Sequence, residues 1–343
     1  MSARPALFLA SALALLLPPS AAATANAAVA DGFNRVPAVR SFIDEMREKH
    51  GFDRLKLARE FASSRPIAAV IKAVLPAPEP GGRSWAAYRA RFVEAQRIDL
   101  GLRFWDEYRR QLAAARERFG VPEEIIVAII GIESIYGRNF GHFNTFAALA
   151  TLAFDYPADQ ADAGARSALF RDELEQLLLL ARETHHDPLA YTGSYAGALG
   201  LPQFLPSSVR RYAVDADHNG RIDLAASPAD AIASIANFLN AHGWQKDGPV
   251  AAAASVEGDK FTRLLEEGIA PRHTPAEMAA LGVTSPGAPE QPAALIELAT
   301  PQQPTEYRLG YHNFYVLTRY NRSSFYAMAV YDLAQALRAV RSE

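Results

Sequence analysis

The stretch IIVAIIGIESIYG, residues 125–137, decides the fold class of this chain. Eight consecutive residues without a polar side chain, 125–132, lead into a single carboxylate at Glu133. A helix that is apolar on every side is buried in a core, so this segment predicts a central helix with Glu133 near its end. Helical periodicity extends around it from 85 to 244 and returns at the C-terminus. The chain is therefore predicted to be mainly α.

Glu133 is the candidate catalytic residue. Burial raises the pKa of a carboxyl group, and a glutamic acid that stays protonated near neutral pH can act as a general acid. Glycines at 131 and 137 leave room beside it for a bulky group. A second interpretation stays open at this point, because a glutamate at a helix end can also reach water or pair with Arg138.

The composition excludes several classes of protein. The 343 residues include 35 Lys+Arg, 38 Asp+Glu and no cysteine, and the formal net charge is −3. The lack of cysteine excludes disulfides, zinc–thiolate sites, iron–sulfur clusters and a thiol nucleophile. A slightly acidic chain has no electrostatic reason to bind nucleic acid.

The first thirty residues are typical of a secretory signal peptide. Arg4 precedes the apolar run ALFLASALALLL at 6–17, and small-residue cleavage sites follow at 25–27 and 28–30. The run is shorter than the ~20 residues of a membrane span. We therefore expect residues 1–30 to be removed on export to the periplasm, with no transmembrane segment elsewhere; an uncleaved anchor is the alternative. A lipid anchor would need a cysteine at the cleavage site.

Changes in composition divide the rest of the chain. Residues 31–82 are interpreted as an N-terminal helical segment that ends in a Pro/Gly-rich linker, and residues 83–244 as the helical core. Short apolar runs among many prolines at 245–309 predict a small β-rich insert. Residues 310–343 return to helix and complete the core.

Two further segments have the composition of a sugar-binding groove. Residues 193–208 contain three closely spaced glycines, which let the backbone approach a ligand, together with hydrogen-bonding side chains. Residues 313–326 combine aromatic rings with amides and hydroxyls, which suit sugars because sugar rings have apolar faces edged by hydroxyls. Either segment could instead be structural, as a turn between helices or as a packing stripe of tyrosines.

Together these segments resemble the lytic murein transglycosylases of the membrane-bound B type, including their soluble forms. The similarity runs from about residue 85 to the C-terminus and includes the motifs at 85–89, 120–123, 133–137, 193–208, 242–244 and 319–321. The resemblance implies a lysozyme-like helical core that cleaves the MurNAc–GlcNAc β-1,4 bond of peptidoglycan glycan strands. It also implies that Glu133 first protonates the glycosidic oxygen. Glu133 then takes the proton of the MurNAc C6 hydroxyl as that oxygen attacks C1, which leaves a 1,6-anhydro end without a catalytic cofactor.

The same resemblance implies a set of substrate-binding residues, namely Tyr88, Ser194, Gln203, Tyr320, Asn321 and Tyr326. Phe238 stands where the resemblance leads us to expect a tyrosine, which removes one hydrogen bond near Glu133. We expect the enzyme to be a monomer. Two alternatives remain: a muramidase of the same fold that uses water in place of the C6 hydroxyl, and a non-catalytic, calcium-stabilised wall-binding module.

An EF-hand-like loop is predicted at 215–230. The sequence DADHNGRID at 215–223 matches the first nine positions of a calcium loop. The twelfth position, normally a bidentate glutamate, is Ala226, and the family resemblance suggests a longer loop closed at the next helix start. A metal-free turn is the alternative, and a bound Ca²⁺ would have a structural role. The predicted ligands are Asp215, Asp217, Asn219, Arg221 through its backbone carbonyl, and Asp230.

Overall fold

The computed structural model describes residues 32–33, 36–75, 83–157, 160 and 162–342. The signal peptide predicted at 1–30 lies outside these residues. Within them, helices far outnumber strands, so the predicted mainly α fold is confirmed. In this described part of the chain, no helix combines the length and the apolar character that crossing a bilayer requires.

The described residues form fifteen helices and six short strands. In chain order the elements are α1 (Pro37–His50), α2 (Arg54–Ser63), α3 (Ala68–Val74), α4 (Trp85–Ala90), α5 (Ala95–Glu107), α6 (Arg109–Phe119), α7 (Glu123–Ser134), β1 (Phe143–Asn144), α8 (Thr145–Phe154), α9 (Ala163–Glu183), β2 (Thr192–Gly193), α10 (Pro206–Tyr212), α11 (Pro228–Ala241), β3 (Ala251–Val256), α12 (Thr262–Glu266), α13 (Pro275–Ala279), β4 (Val283–Thr284), β5 (Ala294–Leu298), β6 (Glu306–Gly310), α14 (His312–Tyr320) and α15 (Ser324–Ser342). They group into two compact units.

The first unit combines the described residues of 32–75 with 139–211. Its central helix is α8, which begins where the Asn144 side chain accepts a hydrogen bond from the Ala147 N–H at 2.8 Å. Residues 145–153 of this helix are all buried, and α8 packs mainly against α9. The strands β1 and β2 pair antiparallel beside it.

The second unit, which contains the described residues of 83–138 and 212–342, is built around α7. Residues 125–132 are all buried, as the sequence predicts, because α5, α6, α11 and α15 pack around them. Burial of one isoleucine or valine side chain contributes about 1.5–3 kcal/mol. This run therefore stabilises the unit strongly and holds the backbone of Glu133, which directly follows it.

The β-rich insert is a four-stranded antiparallel sheet in the order β4-β3-β6-β5. Leu309 of β6 pairs with Ala252 of β3 on one side and with Leu295 of β5 on the other. Leu295 and Leu309 are buried in a small core that belongs to the insert, together with Leu264, Met278, Val283, Ala293 and Tyr311. The insert therefore has apolar packing of its own within the second unit.

The compact units do not follow the predicted segments one to one. Residues 139–211 pack in the first unit, whereas 83–138 and 212–244 pack in the second, so the segment predicted as the core contributes to both. Composition detects linkers and inserts, but it does not tell which apolar helix faces pair. The segment boundaries drawn from the sequence remain predictions.

Candidate functional site

Glu133 lies in the last turn of α7. Its side chain is half-buried, and its Oε1 accepts a hydrogen bond from the Tyr326 hydroxyl at 2.6 Å. Burial raises the pKa of Glu133 to about 7, and the hydrogen bond from Tyr326 opposes that rise. Within the described residues Arg138 makes no contribution to this pKa, so the alternative of a simple ion pair is not supported. A carboxyl with this pKa can donate and accept a proton near neutral pH.

Three tyrosines surround the Glu133 carboxyl. Tyr326 of α15 is fully buried, and its ring stacks on Tyr320 with centroids 6.3 Å apart and planes inclined by 13°. Tyr88 of α4 is half-buried against Phe325, at a centroid distance of 5.7 Å. Burial first, and then the charge of Glu133, raises the pKa of all three phenols, in Tyr88 to about 12. Their hydroxyls therefore stay protonated and can donate hydrogen bonds at neutral pH.

Two further residues lie beside Tyr320. Asn321, directly after α14, is buried, and its Oδ1 accepts a hydrogen bond from the Ser323 N–H at 3.2 Å. Phe238 of α11 packs edge-on against Tyr320 with centroids 4.9 Å apart, and it stacks on His242 at 4.1 Å. Phe238 thus packs against Tyr320 without the hydroxyl that a tyrosine would add.

Ser194 and Gln203, the other two predicted substrate-binding residues, belong to the first unit. Ser194 is buried, and its Oγ accepts a hydrogen bond from the Ala198 N–H at 3.1 Å. Gln203 has a left-handed backbone (φ 52°), and its side-chain Nε2 donates to the carbonyls of Phe140 at 3.0 Å and Gly200 at 2.9 Å. Both side chains therefore help to fold the loop at 193–208.

The way α7 ends is the part of the site that the sequence interpretation missed. Ile135, Tyr136 and Gly137 have consecutive φ angles of 51°, 56° and 84°. A left-handed conformation costs a residue with a Cβ roughly 1–2 kcal/mol. The ring of Tyr136 folds back beside α7 and fills the space at Gly131.

The expectation that Gly131 leaves room for an approaching ligand therefore needs correction. The missing Cβ accommodates a side chain of the same chain. A glycine five positions before a tyrosine was the available signal, but it is too common a pattern to predict this packing.

The loop predicted to bind calcium brings three carboxylates together. Oxygens of Asp215, Asp217 and Asp230 lie within 4.8 Å of one another, the one such cluster found among the described residues. Asp230 is fully buried at the start of α11, where its two oxygens accept hydrogen bonds from the N–H groups of Ala216 at 2.8 Å and Asp223 at 2.9 Å. Each oxygen keeps a second lone pair, so these backbone contacts do not prevent Asp230 from binding a cation.

The remaining loop residues adopt the turn that such a site requires. The Asn219 side chain accepts a hydrogen bond from the Arg221 N–H at 2.9 Å, and Asp215 accepts one from Gly220 at 2.9 Å. Gly220 has a φ of 83°, which suits glycine at the sharp turn of the loop. The capping role of Ser227 coexists with the loop, since its Oγ accepts a hydrogen bond from the Asp230 N–H at 3.3 Å. This set of hard oxygen donors fits Ca²⁺.

The similarity to known proteins agrees with this arrangement. Residues 34–335 match the family described as the transglycosylase SLT domain. The chain belongs to that family. A relative in it, membrane-bound lytic murein transglycosylase B of Escherichia coli, is 39% identical over 320 residues, which cover 90% of this chain and 85% of the relative. The predicted assignment to an enzyme family of lytic murein transglycosylases is thus confirmed.

Solved structures of the family share the fold. The soluble lytic transglycosylase SltB1 of Pseudomonas aeruginosa is 40% identical, covers 90% of this chain and 100% of its own, and superposes with a TM-score of 0.81. The E. coli lytic transglycosylase Slt35 is 37% identical, and the match covers 90% of this chain and 95% of that one. Its TM-score is 0.78 in complex with bulgecin A and 0.77 in complex with calcium. The lysozyme-like architecture predicted from the sequence is confirmed.

Proposed function

We propose that this transglycosylase cleaves the β-1,4 bond between MurNAc and GlcNAc in peptidoglycan and leaves a 1,6-anhydro-MurNAc end. The observation that carries the proposal is the Glu133 carboxyl, which accepts a hydrogen bond from Tyr326 and has a pKa raised by burial to about 7. Membership of a family whose E. coli relative is a lytic murein transglycosylase supports it.

The reaction needs one group that gives a proton and then takes one. Glu133 donates its proton to the glycosidic oxygen, and the bond from that oxygen to MurNAc C1 breaks. The resulting carboxylate then accepts the proton of the MurNAc C6 hydroxyl, whose oxygen forms the new bond to C1. One bond breaks and one forms, no water is consumed, and Glu133 ends the cycle protonated. A pKa near the working pH is suited to both transfers.

The proposed route needs fewer carboxyl groups than hydrolysis. Glycoside hydrolysis normally uses two flanking carboxyl groups. Attack by the substrate's own C6 hydroxyl requires Glu133 alone. In the second unit we assign substrate binding to Tyr88, Tyr320, Asn321 and Tyr326, as the family resemblance indicates. In the first unit the resemblance gives the same role to Ser194 and Gln203.

Analysis of the products by mass spectrometry tests this function. Digestion of purified sacculi should release muropeptides about 18 mass units, the mass of one water, lighter than those released by a hydrolytic muramidase. Products with ordinary reducing ends would assign the chain to the muramidase alternative. If digestion released no soluble fragments at all, the proposed reaction would be refuted.

We also propose that the loop at 215–230 binds a structural Ca²⁺. The carboxylates of Asp215, Asp217 and Asp230, the amide oxygen of Asn219 and the backbone carbonyl of Arg221 would hold it. The clustering of the three carboxylates supports this assignment, and so does the calcium complex of Slt35. The ion would offset the mutual repulsion of the carboxylates and stiffen the segment that leads into α11.

Calcium should therefore raise the thermal stability of the chain. At about one hundred times its Kd, a ligand stabilises a protein by about 2.7 kcal/mol, which corresponds to a rise in Tm of roughly 4 °C for a chain of this length. EDTA should lower the Tm of the wild-type chain by a similar amount. Asp217→Asn should abolish this response, whereas Asp259→Asn in the insert should keep it. A Tm that calcium and EDTA leave unchanged would contradict an occupied site.

We infer that the chain is exported and acts in the periplasm. The inference comes from the leader pattern of residues 1–30, and peptidoglycan as the substrate agrees with it. Protein recovered from the periplasmic fraction should begin at Ala28 or Asp31 when its N-terminus is sequenced. A chain that keeps Met1 and stays in the membrane fraction would contradict cleavage. The monomeric state remains a prediction, which sedimentation analysis can check.

A further inference from the structure

We propose that Tyr136 is a positioning residue for Glu133: its ring, held between α5 and α7, fixes the last turn of the helix that carries the carboxyl. The proposal rests on the proposed function of Glu133. Tyr136 follows Glu133 by only three residues, yet its side chain returns along the helix instead of continuing away from it.

The Tyr136 ring occupies a slot that two glycines create. A Cβ added at Gly101 of α5 or at Gly131 of α7 would overlap the Tyr136 hydroxyl. The ring also packs against Phe104 of α5, with centroids 5.6 Å apart. The ring therefore sets the separation of the two helices at the level of Gly131, within one helical turn of Glu133.

The backbone around the slot is held by hydrogen bonds. The Gly131 carbonyl accepts one from the Ile135 N–H at 3.2 Å and another from the buried guanidinium of Arg97. The Tyr136 N–H donates to the Ile130 carbonyl at 3.4 Å. These contacts close the helix through consecutive left-handed residues, an unfavourable conformation for Ile135 that the packing of the Tyr136 ring compensates.

The ring, rather than the hydroxyl, is the part of Tyr136 that acts. Its hydroxyl oxygen is buried and has no hydrogen-bond partner among the described residues. Burial raises the pKa of this phenol, so the hydroxyl stays neutral. Phenylalanine at this position should therefore preserve the position of Glu133, whereas a small side chain should not.

Steady-state kinetics on purified sacculi test the proposal. Tyr136→Ala should lower kcat by about 100-fold per folded molecule, because a misplacement of about 1 Å can have that effect, with KM within about threefold of wild type. Tyr136→Phe should keep kcat within about threefold. Met278→Ala, buried in the insert, is the matched control: it should lower Tm but leave kcat unchanged. Tyr136→Ala with a lowered Tm and a normal kcat would overturn the positioning role.

Alanine substitutions at the two glycines test the same role if Tyr136→Ala fails to fold. Gly101→Ala should lower kcat by at least about tenfold, because the new Cβ meets the Tyr136 hydroxyl and, less severely, the flexible end of Leu337. Without that hydroxyl, the ring atom nearest to the new Cβ at position 101 is Cζ of residue 136, at 3.0 Å. Tyr136→Phe should therefore restore kcat in the Gly101→Ala background. A Cβ added at Gly131 would lie only 2.6 Å from Cζ of the same ring. Because this overlap remains without the hydroxyl, Tyr136→Phe should not rescue Gly131→Ala.

Failure of the positioning role of Tyr136 can be distinguished from failure of the proposed function. A normal kcat in Gly101→Ala, or no rescue by Tyr136→Phe, overturns the positioning role while wild-type products stay 1,6-anhydro. Wild-type products with reducing ends would instead overturn the proposed function.

Discussion

Glu133→Gln should lower kcat on purified sacculi by about 10³-fold or more, because it removes the only proton donor and acceptor that the proposed reaction uses. Release of soluble muropeptides measures this loss. Glu124→Gln is the matched control, since Glu124 lies in the first turn of the same helix and contacts Arg338 at 3.8 Å rather than the site. Glu133→Gln with activity within tenfold of wild type would remove Glu133 from the chemistry.

The same substitution should stabilise the fold at alkaline pH. The pKa of Glu133 is about 7 in the folded chain and 4.5 as an ordinary carboxyl, so the folded state binds the proton more tightly. The stabilisation of the fold by this tighter proton binding is complete below about pH 4.5 and is lost as the pH rises to about 7. Glu133→Gln stays neutral, so at pH 8 its free energy of unfolding should exceed that of wild type by up to about 3 kcal/mol, with no such gain at pH 4. Denaturant unfolding at the two pH values measures the difference, and it also shows that the inactive variant is folded.

Tyr326→Phe is the second substitution with a large expected effect. Its hydroxyl donates the 2.6 Å hydrogen bond to Glu133, and such bonds to a charged group are worth about 1.5–3 kcal/mol. We therefore expect kcat to fall by about 10- to 100-fold, since the carboxylate that forms as Glu133 gives its proton to the glycosidic oxygen loses this stabilisation. Tyr331→Phe, on the same helix but bonded to the Ala251 carbonyl, should have little effect.

The pH dependence of Tyr326→Phe separates this role from a general loss of structure. The hydrogen bond favours the ionised carboxyl and so lowers the pKa of Glu133. In wild type, kcat/KM should fall as the pH rises through about 7, because the first step needs protonated Glu133. Without the hydroxyl the pKa rises, so the fall should move to higher pH. A profile that stays in place would show that Tyr326 does not act on Glu133.

The local features of the site were accessible from the sequence. Residues 125–132 are apolar on every helical face, so burial of α7 and the unusual environment of Glu133 follow from periodicity alone. The acidic loop at 215–223 likewise depends on spacing between near neighbours. Family resemblance added Tyr88, Tyr320 and Tyr326, which the structure brings beside Glu133.

The long-range contacts could not be predicted from patterns of neighbouring residues. Tyr326 and Glu133 are hydrogen-bonded although 193 positions separate them in the sequence. A local sequence pattern contains no information on contacts between residues so far apart. The insertion of Tyr136 beside Gly131 depends on α5, whose Gly101 supplies the other side of the slot. The grouping of 139–211 with the N-terminal helices depends on which apolar faces pair, and these faces are alike in composition.

Digestion of sacculi in ¹⁸O-enriched water tests most directly whether Glu133 directs the C6 hydroxyl, rather than water, to C1. Because the new bond to C1 comes from the substrate's own oxygen, the 1,6-anhydro ends should carry no ¹⁸O in mass spectra of the muropeptides. A hydrolytic reaction would place one ¹⁸O at each new reducing end and make those products about 2 mass units heavier than in ordinary water. Label at the new ends would contradict the proposed reaction, whereas unlabelled anhydro ends that disappear in Glu133→Gln are the result we predict.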